Sequence, residues 1–225
     1  MFGRLFDVDN VVFRTIDKIG KIFMLNLFWV IFSLPVVTMG AATTALLYSS
    51  MKLQTGEGYW YENFWRSFKE NFKQATVIFL LYALLGVFLA ADFMLGGQTK
   101  GSFGLVMQGA AGIVFVPYFL SLLYVFGVQS RFVNTVKDTI RYAFFMALKN
   151  LKYTVQMAIL FILFVWVNTT VLLFNFLTLV YGFGLMGYFF ASYYRKTFEK
   201  YLDQSYKLVG ESITEEADKK SSPKE

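Results

Sequence analysis

Four long stretches of this chain carry no charged side chain, and they constrain its fold more than any motif does. They run from Ile22 to Met51, Gln74 to Ala91, Gly101 to Ser130 and Tyr153 to Tyr194. A transmembrane helix needs about 20 consecutive apolar residues, so the four stretches have room for five or six spans. The balance of the chain agrees. It is 56% hydrophobic and 16% charged, with 27 Phe, whereas soluble domains carry about 25% charged residues. The fold class that follows is all-α, a polytopic transmembrane helical bundle forming a single domain over residues 1–208.

The first stretch decides the number of spans. As one helix its thirty residues would be about 45 Å long, more than the hydrocarbon core needs. Pro35 lacks an N–H and disfavours helix at Leu34, and Thr38 suits the N-cap of a new helix. A first helix that starts near Val11 then has Lys18 and Lys21 reaching the interface. Charge supports the break. With a hairpin at Leu34-Pro35 and six spans, twenty of the twenty-one Lys and Arg residues fall on one side, and Lys100 alone falls on the other. With five spans, Arg4, Arg14, Lys18 and Lys21 change sides. Basic residues concentrate in cytoplasmic loops, so the asymmetry favours six helices with both termini cytoplasmic, and five is the alternative. A cleavable signal peptide ending near Gly40-Ala41-Ala42 is a weaker reading, because the apolar run continues into Ala45-Leu46-Leu47-Tyr48.

The last stretch divides into Tyr153–Phe174 and Leu177–Tyr194, with a turn near Asn175. Two segments between spans are amphipathic and read as cytoplasmic interfacial helices. In Tyr61–Lys73, the residues Tyr61, Phe64, Trp65, Phe68 and Phe72 recur at helical spacing, opposite Glu62, Arg66, Lys69, Glu70 and Lys73. In Val133–Lys152, a stripe of Val136, Ile140, Phe144, Ala147 and Leu151 opposes Lys137, Arg141, Lys149 and Lys152. Each segment follows a Pro-containing stretch and precedes a span. This pattern suggests a weak internal duplication of about 21–95 and 103–174, of the kind seen in transporter folds. Residues 209–225 are polar and charged and read as a disordered cytoplasmic tail.

Composition removes much chemistry. The chain has no Cys and no His, which excludes disulfides, thiol catalysis and imidazole acid–base work. No nucleophile–base pair, metal cluster or phosphate loop is present in the sequence, so no catalytic residue, cofactor or metal is assigned. The net charge of +6 tracks topology rather than nucleic acid. Asp92 lies at the end of a span and reads as an interfacial residue.

Two groups of candidate residues remain. Trp60, Trp65, Arg66, Phe68, Lys69 and Lys73 form an aromatic-basic surface, read either as a headgroup belt or as a contact for a partner or anionic lipid. Asn26, Gln108, Asn168 and Asn175 are intramembrane amides, read either as interhelical hydrogen bonds or as the polar lining of a path for a neutral sugar. Asn168 and Asn175 share a face only if their helix is unbroken. Gly40 with Thr44, Ala41 with Ala45, and Gly184 with Gly187 and Ala191 permit close helix approach.

The run Ser33-Leu34-Pro35-Val36-Val37-Thr38-Met39-Gly40-Ala41-Ala42, with Phe64-Trp65-Arg66-Ser67-Phe68-Lys69-Glu70-Asn71-Phe72-Lys73-Gln74-Ala75, resembles the YesL-like family of bacterial membrane proteins of unknown function. The resemblance extends to the pattern of spans through about Tyr201. It implies a small multi-pass protein of the bacterial plasma membrane, of a family often encoded beside carbohydrate-uptake transporters, and it transfers no catalytic residue. The leading expectation is a non-enzymatic auxiliary membrane protein for carbohydrate uptake, acting through contacts with a sugar transporter or sensor. A transporter or facilitator for a neutral small molecule such as a sugar is the alternative. The apolar spans imply the lipid bilayer as a partner, and nothing in the sequence sets the oligomeric state.

Overall fold

A computed structural model of the protein describes residues 11–99 and 101–201. Arg4, Lys100, Lys207 and the tail 209–225 lie outside the described residues. Among those described, the structure is helical without strands. It comprises α1 (Val11–Ser33), α2 (Met39–Thr55), α3 (Trp60–Gln98), α4 (Ser102–Arg131), α5 (Val136–Lys149), α6 (Leu151–Thr170) and α7 (Leu172–Tyr201). A 3-10 turn, Val36–Thr38, separates α1 from α2, and one π-helical turn, Thr178–Gly182, interrupts α7.

Four of these helices, α3, α4, α6 and α7, are long and apolar enough to cross a membrane, which fits a multi-pass membrane protein. The other two candidate spans fall short for different reasons. The N-terminal half of α1 carries Arg14, Asp17, Lys18 and Lys21. At 17 residues, α2 is about 26 Å long, slightly under the hydrocarbon thickness.

The break at Pro35 is where the sequence places it. α1 ends at Ser33 and α2 begins at Met39, with Thr38 at the N-cap position. The Thr38 side chain does not cap α2, however. Its hydroxyl lies 2.5 Å from the Phe32 carbonyl and 2.7 Å from that of Pro35, so it closes the end of the preceding helix. α2 then ends at Gly56, whose φ of 73° is the left-handed conformation that glycine adopts most readily.

Three expectations are corrected. The amphipathic segment Tyr61–Lys73 is not a separate elbow helix, because α3 runs unbroken for 39 residues, about 58 Å. Between residues 61 and 85 the chain offers no Pro or Gly to interrupt it. The turn expected near Asn175 occurs instead at Val171, the single extended residue between α6 and α7 (φ −122°, ψ 102°). There the Thr169 and Thr170 hydroxyls both donate back to the Trp166 carbonyl, and such local hydrogen bonds compete with continued helix. The second amphipathic segment divides at Asn150 into α5 and the start of α6. Its buried face is Thr139, Ala143, Met146 and Ala147, about one residue out of register with the predicted stripe, and Leu151 is exposed. Small Ala143 and Ala147 let α5 lie close to its neighbours, and the larger Ile140 and Phe144 are left at the flanks.

Contacts along the helices give their directions. Asn71 meets Gln129, Tyr82 meets Ser121, and Gly86 meets Tyr118, so α3 and α4 run antiparallel over most of their length. Tyr153 meets Tyr193 and Phe164 meets Phe183, which makes α6 and α7 an antiparallel hairpin. α2 is the central helix, with ten of its residues buried.

Candidate functional site

Charge gathers where the C-terminal ends of α2, α4 and α7 meet. A small crevice there is lined by Lys52, Thr55, Glu57, Arg131, Arg195 and Glu199. Glu57 stands in the loop between Gly56 and Gly58 and accepts a hydrogen bond from Lys52. That ammonium, with the Thr55 hydroxyl, holds the Glu57 carboxyl below its ordinary value. Basic residues in last helical turns also complement the negative end of the helix dipole. Glu57 carried no signal in the sequence beyond its two flanking glycines.

The aromatic-basic face of α3 adjoins this crevice, and the structure divides its residues into two kinds. Phe68 is buried, packed on Phe32 at 5.0 Å, and Trp60 is half-buried against Phe28 at 5.1 Å. These two are core residues. Trp65 is 44% exposed, with Lys69 4.6 Å above its ring. Arg66 and Lys73 are exposed, and Arg66 donates to the Tyr48 hydroxyl at 2.6 Å and to Asn63. The exposed members of this face are therefore Trp65, Arg66, Lys69 and Lys73.

The four amides read from the sequence as intramembrane do not converge. Gln108 reaches the Phe93 carbonyl at 3.4 Å across the α3–α4 pair. Asn168 bonds within its own helix to Phe164, and Asn175 is exposed beyond the break at Val171. Asn26 differs from all three. It is fully buried, its Nδ2 donates to the Leu179 carbonyl at 2.7 Å, and its Oδ1 accepts from the Gly184 N–H at 2.8 Å. Those two backbone groups are five residues apart, the spacing of a π-helical bond, so the Asn26 amide is inserted into the α7 ladder. Gly184 makes this geometry possible. A Cβ there would lie 2.6 Å from the Ile22 carbonyl oxygen and 2.9 Å from the Asn26 Cβ. An intramembrane amide marked Asn26 in the sequence, but its partners on α7 were not legible from that signal.

Beside this junction a crevice of about 240 Å³ opens at the centre of the bundle, lined by residues that include Trp29, Thr43, Leu46, Phe126, Phe183 and Tyr194. Its few polar groups are already satisfied. The Trp29 indole donates to Thr43, and the Tyr194 hydroxyl donates to the Leu123 carbonyl. Trp29 also stacks on Phe183 at 4.0 Å.

A second polar network went unnoticed in the sequence. Gln129 of α4 donates to Asn71 of α3 at 2.8 Å and accepts from Thr139 of α5 at 3.3 Å, joining three helices through one buried amide. Its residues lie beside the charged segments, where polarity draws no attention.

The α1–α2 break, the close approach of Gly40 to Ala75 and Phe79 of α3, and the aromatic start of α3 all lie in one continuous part of the chain. Residues 22–93 match the family model described as Protein of unknown function, DUF624. This is the YesL-like family. The matched segment holds both runs that carry the resemblance, from the break at Pro35 to the aromatic-basic start of α3, and covers roughly a third of the chain. No curated protein and no solved structure matches the chain. The matched segment thus contains α2, which packs on α1, α3, α4 and α7, and Asn26, which clamps the π turn of α7.

Proposed function

We propose that this protein is a non-enzymatic auxiliary membrane protein that works by contact with a second membrane protein through Trp65, Arg66, Lys69 and Lys73. The partner class follows from the YesL-like resemblance: a carbohydrate transporter or its sensor. In this reading the chain crosses a bacterial plasma membrane six times, with α1 and α2 as the first two spans and both termini in the cytoplasm. The amphipathic start of α3 and all of α5 lie at the cytoplasmic interface.

One observation carries the reading: exposed polar and aromatic-basic chemistry is concentrated at one end of the bundle, whereas the central crevice is apolar. A neutral sugar crossing the protein would need hydroxyl partners along its path. Thr43 and Tyr194, the hydroxyl-bearing residues named at that crevice, are already engaged within the protein.

Affinity purification from native membranes tests the contact. Trp65→Ala with Lys69→Ala is the informative pair, because both side chains are exposed, whereas Phe68→Ala would damage the core. A sugar transporter or sensor should co-purify with the wild type and be lost with the double variant. Retention by the variant, or sugar uptake into liposomes that contain this protein alone, overturns the proposal. The chain has no native Cys, so single cysteines test the topology. Val37→Cys should react with an impermeant reagent from outside, and Trp65→Cys only after the membrane is opened. Val37→Cys that reacts only from inside rules out six spans.

A further inference from the structure

The outer face of α3, α4 and α5 encloses a groove of about 930 Å³ that the reading above does not use. Its walls are apolar side chains, among them Leu81, Leu84, Leu85, Phe88, Val114 and Phe144. Pro117 also lines it, in the middle of α4. The hydroxyls beneath are engaged: Tyr82 with Ser121, and Tyr118 with the Tyr82 carbonyl at 3.2 Å. One charged residue lines the groove, Arg141 of α5. Among the described residues Arg141 has no carboxylate partner. Its guanidinium lies 5.8 Å from the Phe145 ring centroid. Asp138, one turn away, is occupied at the start of α5, where it accepts from Thr135 at 2.6 Å.

Distance along the helices places this charge. Ser121 lies 3.5 Å from the Ile140 carbonyl, which puts α5 beside that turn of α4. From Ser102 to Ser121 the helix runs about 30 Å, one hydrocarbon thickness. A helix that spans the core over this length brings Arg141 to the headgroup layer, with the apolar groove descending from it. We propose that the groove binds an anionic glycerophospholipid, with an acyl chain along Leu81–Phe88 and the phosphate on the Arg141 guanidinium. Charge complementarity selects this occupant: an apolar wall of about 10 Å from Leu81 to Phe88, which covers the part of an acyl chain nearest the headgroup, ends in a single cation that forms charge-assisted, bidentate bonds to phosphate.

The test uses the full chain in nanodiscs of equal phosphatidylglycerol and phosphatidylcholine, followed by mild detergent extraction and native mass spectrometry. The wild type should retain one phosphatidylglycerol in preference to phosphatidylcholine by about tenfold. Arg141→Gln should abolish the preference, and Arg141→Lys should keep part of it. Lys149→Gln, the same charge change on α5 away from the groove, should leave it intact. Leu84→Trp, which fills the groove, should lose the lipid with Arg141 unchanged. Equal retention of both lipids, or an unaltered preference in Arg141→Gln, overturns the proposal. So does displacement of the lipid by inorganic phosphate alone, or a cysteine cross-linked dimer through Leu84→Cys, which would show a second copy in the groove.

Discussion

α2 and α6 are similar in length but have opposite environments. α2 has ten buried residues among seventeen, most of them Gly, Ala, Ser or Thr, whereas α6 buries only Thr154 and Met157 among twenty. α6 is the more apolar of the two and α2 the more deeply enclosed. In water the order would be reversed, because hydrophobic burial drives folding there. In lipid the surroundings are as apolar as the side chains, and helices associate through close packing and hydrogen bonds. Small size therefore marks the centre of this bundle, and large apolar side chains mark its edge.

The comparison can be tested from its strongest point downwards. Asn26→Leu should be the most damaging change. It leaves the Leu179 carbonyl and the Gly184 N–H without their partner, and each buried orphan costs about 1–3 kcal/mol. The combined loss, roughly 2–6 kcal/mol, should appear as a lower midpoint in SDS unfolding. A variant as stable as wild type would show that the π turn does not depend on Asn26. Gly40→Val should come next, at about 1–3 kcal/mol. Its Cβ would lie 2.4 Å from the Ala75 carbonyl oxygen and 2.6 Å from the Phe79 Cβ, both on α3. Thermal aggregation of the detergent-solubilised protein measures this loss.

Acid should have a smaller effect through Glu57. Its carboxyl is held below the ordinary carboxylate range by the hydrogen bond from Lys52, so the folded state favours the charged form. Between the folded and unfolded pKa values the unfolded chain binds more protons, and stability rises with pH there. The contribution is complete above about pH 4.5 and disappears as pH falls through the lower, folded value. Glu57 is solvent-exposed, so salt screens the pair. Melting curves in low salt should therefore show an acid-side loss that Glu57→Gln abolishes and high salt weakens. An acid slope that persists in Glu57→Gln assigns the loss to other carboxylates. The smallest effect belongs to α6. Ile162 is 59% exposed, and Ile162→Ala should change stability by less than about 0.5 kcal/mol. A loss as large as that of Gly40→Val would refute the contrast between the two helices.

Legibility in the sequence followed the same division. The break at Pro35 was plain, because proline and a long charge-free run act locally. The continuity of α3 was not, since periodicity shows which face of a helix is apolar and is silent on whether that helix continues into the next. The α6–α7 turn was misplaced by four residues. An Asn draws attention as a turn former, but the local bonds of Thr169 and Thr170 end α6 before Asn175 is reached. For the candidate site, the exposed Arg66, Lys69 and Lys73 were legible from their charge, whereas nothing in the pattern separated exposed Trp65 from buried Phe68. Phe68 was misassigned because its partner, Phe32, lies on another helix. Asn26 was legible as an oddity, and its role required a backbone more than 150 residues away.

The length of α3 has a mechanical consequence. A straight rod of about 58 Å that pivots by 10° about its middle displaces each tip by about 5 Å. Trp65 and Lys69 ride near one tip, and Gly96, seated against Gly104 and Gln108 of α4, rides near the other. A tilt imposed at the basic end would therefore be carried to the opposite end, since α3 is continuous between them.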